Sequence, residues 1–161
     1  MLLLLLTAAA YFYYHWQYFL LVSHIRKMPY PRMGLVILGF LVNYLFFIIC
    51  SILEFHLVLN WLLFAFLLFF ETLFCFKGDK RCALFHTLTG IICGLAANIF
   101  CRSIMAILIQ QPMHNFDNHI RSSGNVKGVP VLLGFILAGL VLQFMRKPVI
   151  LSLIHISEPT R

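Results

Sequence analysis

Five apolar stretches, each about as long as a bilayer is thick, follow one another along the chain with only short polar breaks between them. They cover residues 2–22, 34–53, 58–76, 83–109 and 129–144. A membrane-crossing helix needs about 20 mainly apolar residues, whereas a helix in a soluble core is shorter and keeps a polar face. Composition agrees: 62% of the residues are hydrophobic and only 11% charged, with 17 phenylalanines, against about 25% charged in an ordinary soluble domain. Too few charges remain to cover a water-facing surface. The expected fold class is therefore all-α, a polytopic transmembrane bundle of five helices plus the start of a sixth, embedded in a lipid bilayer.

The first stretch has the length of a helix and lacks the basic leading segment of a signal peptide, so it is read as a helix. Residues 23–33 carry two prolines and three basic residues, residues 54–57 form a link without Lys or Arg, and residues 77–82 (KGDKRC) form a basic turn. Residues 110–128 are the one long polar segment; Met145-Arg146-Lys147 closes the fifth helix and Pro148 opens a sixth.

The net charge of +7 sits in clusters: Arg26, Lys27 and Arg32; Lys77, Lys80 and Arg81; Arg146 and Lys147. That is the pattern of cytoplasmic loops, with the N-terminus and residues 110–128 outside. A nucleic-acid partner would need a continuous basic face, and none is expected. Localisation in the cell membrane, multi-pass, follows.

Residues 151–161 read LSLIHISEPTR and match, residue for residue, the in-frame translation of a transposase sequencing adapter. They are set aside as an artefact, with no weight given to His155 or Glu158. The division expected is a transmembrane helix bundle over 1–150, the N-terminal part of a longer protein, and the adapter-like tail over 151–161.

The five cysteines, Cys50, Cys75, Cys82, Cys93 and Cys101, form no CxxC pair, so neither metal nor cofactor is expected. No HExxH, GxSxG or phosphate-binding glycine loop occurs, and no catalytic residue is assigned.

Polar groups within hydrocarbon are costly and need a reason. Steps of four place Gly90, Gly94, Asn98 and Arg102 on one helix face. The two glycines suit close helix packing. Glu54, Asn98 and Arg102 form either an outward-open polar pocket that senses a ligand or an interhelical clamp. Deeper in, Glu71 and His86 are matched as an inner polar pair, and His15, beside Trp16 and several tyrosines, is read as aromatic packing.

The segment Phe70-Glu71-Thr72-Leu73-Phe74-Cys75-Phe76-Lys77-Gly78-Asp79-Lys80-Arg81 resembles the end of the third helix and the basic turn in receptor histidine kinases of the GHKL type, the peptide-sensing family related to accessory gene regulator receptors. The layout is also similar: a basic loop after helix one, an uncharged link after helix two and a basic cluster after helix five. The resemblance implies a membrane sensor for an extracellular peptide, a homodimer, and a two-component kinase domain beyond the last helix. Six helices from an outside N-terminus would end outside, however, and a kinase domain is cytoplasmic. The alternative is a small multi-helix transporter or substrate-capture subunit with a site at the membrane midplane.

Overall fold

In a computed structural model the chain is all-helical over the described residues, 2–25, 33–52, 57–76, 80–110 and 128–157, with side chains described for 2–25, 33–50, 60–76, 80–110 and 129–147. The helices are α1 (Leu2–Ile25), α2 (Met33–Ile52), α3 (Leu57–Phe76), α4 (Lys80–Leu108) and α5 (Gly128–Ser157). Three are long and apolar enough to cross a membrane, over Met33–Cys50, Lys80–Leu108 and Val129–Lys147, and Asn60–Phe76 is a shorter apolar helix.

The distribution of side chains is the reverse of a soluble protein's. On α3, Leu62, Phe66, Phe70 and Phe74 repeat every four residues and are 52–72% exposed. The opposite face, with Phe64, Leu68, Glu71, Thr72 and Phe76, is buried. Similar exposed stripes run along α2 (Leu38, Leu41, Leu45) and α4 (Phe85, Ile92, Phe100). His15, Gln17, Asn43, His86 and Asn98 lie inside. In water such an exterior would drive aggregation; against lipid it costs nothing, and the polar groups are the ones needing shelter. The chain is a membrane protein.

The five helices are not equivalent. α1 is the central one, buried on every side from residue 17 to residue 23, and it packs against each of the other four. Its sequence explains the position. Tyr11, Tyr13, Tyr14 and Tyr18 carry hydroxyls that lipid tails cannot satisfy, and four find partners within the bundle when Tyr44 of α2 is included. Tyr13 donates to Gln143 Oε1 on α5 at 2.7 Å, and Tyr14 to the Gly90 carbonyl on α4 at 2.8 Å. Tyr18 meets Thr72 Oγ1 on α3 at 2.9 Å, and Tyr44 donates back to the Leu4 carbonyl at 2.7 Å. The Tyr11 ring stacks between α2, α3 and α5, with Phe40, Phe64 and Phe135 at centroid separations of 5.8, 5.9 and 5.0 Å. Aromatic pairs of this kind add about 0.5–1.5 kcal/mol each beyond their buried area.

The contacts also fix direction. Tyr11 lies by Phe64 and Phe19 by Phe76, so α3 runs parallel to α1. Tyr11 by Phe135, and Tyr13 by Gln143, give α5 the same sense. Leu4 by Tyr44, with Phe12 by Phe40, makes α2 antiparallel. α4 runs against α5, because Cys93 meets the Ala138 carbonyl while Asn98 abuts Gly134. Lys80 and Arg81 therefore lie at the same end of the bundle as Arg146 and Lys147.

Boundaries differ from expectation in two places. α4 takes Lys80-Arg81-Cys82 into its first turn instead of leaving them in the loop. α5 is not closed at 145–147: one helix runs through Pro148 to Ser157, so the sixth helix does not start as a separate element. Proline removes one intrahelical hydrogen bond, and neither Gly nor Asn stands between 144 and 151 to supply a left-handed cap. α4 does end on such a cap, with Gln110 at φ 56° and its N–H bonded to Ile107 O at 3.0 Å.

Candidate functional site

The most polar point inside the bundle forms around one carboxylate. Glu71 projects from the core face of α3 and is 8% exposed. His15 Nε2 from α1 lies 2.8 Å from its Oε1, and Asn43 Nδ2 from α2 donates to its Oε2 at 2.9 Å. His15 and Asn43 are 0% and 2% exposed. A single carboxylate thus joins three helices away from water.

Local sequence makes room for it. Gly39 stands one turn before Asn43 on α2, and a Cβ there would overlap the Glu71 carboxyl group. The His15 ring is held by Tyr11 at a centroid distance of 5.6 Å and edge-on by Phe19 at 5.1 Å. One residue along α3, Thr72 bonds the Leu68 carbonyl at 2.7 Å while receiving Tyr18. The cluster is satisfied on the Glu71 side only. His15 Nδ1 and Asn43 Oδ1 are buried without a hydrogen-bond partner, so the site retains an acceptor on α2 and a ring nitrogen on α1.

Electrostatically, an ionised Glu71 must be balanced nearby, because an isolated charge at mid-membrane costs several kcal/mol. His15 on α1, 2.8 Å from Oε1, and Asn43 on α2, 2.9 Å from Oε2, meet both carboxylate oxygens inside the bundle. The orphaned Nδ1 lies on the far side of the same ring. The groups form neither a nucleophile–base array nor a paired-carboxylate arrangement. Among the described residues no group of three His, Cys, Asp or Glu side chains could hold a metal ion.

The residues singled out from sequence fall in different places. Glu54 lies outside the described residues. Asn98 is buried and set against α5, where a Cβ at Gly134 would come within 2.9 Å of its Cα. Arg102, one turn on, is half-buried. Trp61 opposite Gly94 sets the α3–α4 register, which puts Glu71 about 20 Å in depth from Asn98 at 1.5 Å per residue. The two polar sets are therefore separate. His86 is buried with its ring 5.9 Å from that of Phe85, while the Glu71 carboxylate takes its bonds from α1 and α2. The aromatic reading of His15 is incomplete: the ring is packed by aromatics and also ligates Glu71. Gly90 and Gly94 lie under α1 and α3, where a Cβ would strike the Tyr18 ring at 2.7 Å and the Trp61 ring at 3.0 Å.

His15, Asn43 and Gly39 were missed as a set. Their signal was present: His15 and Asn43 each stand near the middle of an apolar stretch, where polar side chains are rare and usually functional.

Comparison with family models finds no match, nor do the curated proteins or the solved structures include one at a significant level.

Proposed function

We propose that the chain is the membrane-embedded sensor portion of a two-component receptor histidine kinase of the GHKL type, placed in the cell membrane and responding to an extracellular signal, a peptide in the family it resembles. The observation that carries this reading is the position of Glu71. It belongs to the segment 70–81 on which the resemblance rests, and its carboxylate holds α1 and α2 to α3 only five residues before α3 ends. A ligand that favours one placement of the outer helix ends would act on that node and on the α3–α4 turn beyond it. Such a ligand shifts the bundle only by its differential affinity for the two arrangements.

Direction supports the reading as well. From an outside N-terminus, α1, α3 and α5 all end on the cytoplasmic side, with Lys80, Arg81, Arg146 and Lys147 there, as the positive-inside rule requires. Among the described residues α5 runs unbroken through Pro148, so no separate sixth helix turns the chain back before that point.

The rival is a transporter or substrate-capture subunit. A carrier holds its substrate near the midplane, but the void beside Tyr11, Tyr14, Trp61 and Phe135 measures about 10 Å³, room for a single water. Among the described residues, the bundle interior beside α1 is packed there.

The test is to read the source DNA beyond the codon for Ile150 from an independent fragment. A soluble domain with a helix-borne histidine and an ATP-binding segment is the expected result. A stop codon soon after that point overturns the sensor reading in favour of the transporter subunit.

A further inference from the structure

We draw no further inference here: the strongest candidate, the furrow between α4 and α5 lined by Thr89, Cys93, Ala96, Ala97 and Phe100, is an unpartnered apolar face, and nothing in the structure shows what covers it.

Discussion

At the scale of the residue, the decisive interaction is the one that Glu71 makes with His15 and Asn43. Removing either His15 or Glu71 leaves the other buried with an unmet hydrogen-bonding group, at about 1–3 kcal/mol. His15→Ala and Glu71→Ala should each destabilise the bundle, and the double variant should cost less than the sum of the two. Unfolding titrations in mixed micelles measure all three; simple additivity would show that the pair is not coupled. Space matters as much as charge here. Gly39→Ala puts a methyl group into the Glu71 carboxyl and should cost about 1–3 kcal/mol. Gly34→Ala, on the same helix with nothing within 4 Å of its added Cβ, should change stability by less than about 0.5 kcal/mol. The same titration compares them, and equal effects would contradict the packing described.

At the scale of the element, the apolar stretches were legible because length and hydropathy alone define a crossing helix. Their ends and ranks were less so. The rank of α1 was hidden because aromatic residues score as apolar. What makes α1 central is the need of its tyrosine hydroxyls for partners, and that is a tertiary fact. The partners of Glu71 are less legible for a related reason. Depth alone points to His86, while the hydrogen bonds to His15 and Asn43 depend on which helix face looks at which neighbour, and periodicity in one helix does not say so. Conversely, four-residue spacing was enough to put Gly90, Gly94 and Asn98 on one buried face, since that follows from helix geometry. The end of α4 is a local matter, and Gln110 holds a left-handed conformation there that costs a non-glycine residue about 1–2 kcal/mol. Gln110→Gly should raise stability by about 0.5–1 kcal/mol in thermal unfolding; a loss would show that the Gln110 side chain makes a contact worth more than the strain.

At the scale of the whole molecule, polar side chains point in and apolar ones point out, around a central α1. The alternation of helix directions places Cys82, exposed in the first turn of α4, at the end carrying Lys80, Arg81, Arg146 and Lys147. In the proposed orientation a membrane-impermeant maleimide should label Cys82 in inside-out vesicles and leave it unlabelled in right-side-out ones. The reverse pattern would invert the topology, and with it the side on which a ligand is sensed.

The most direct test of the inside-out architecture is a nitroxide scan of residues 60–76 on α3 in lipid vesicles, reading collisions with oxygen, which dissolves in lipid, and with a water-soluble nickel chelate. The predicted result is an oxygen maximum every four residues at 62, 66, 70 and 74, minima at 64, 68 and 72, and little nickel contact at any of these sites. Strong nickel contact at 66 and 70 would place that face in water and contradict the membrane bundle described here.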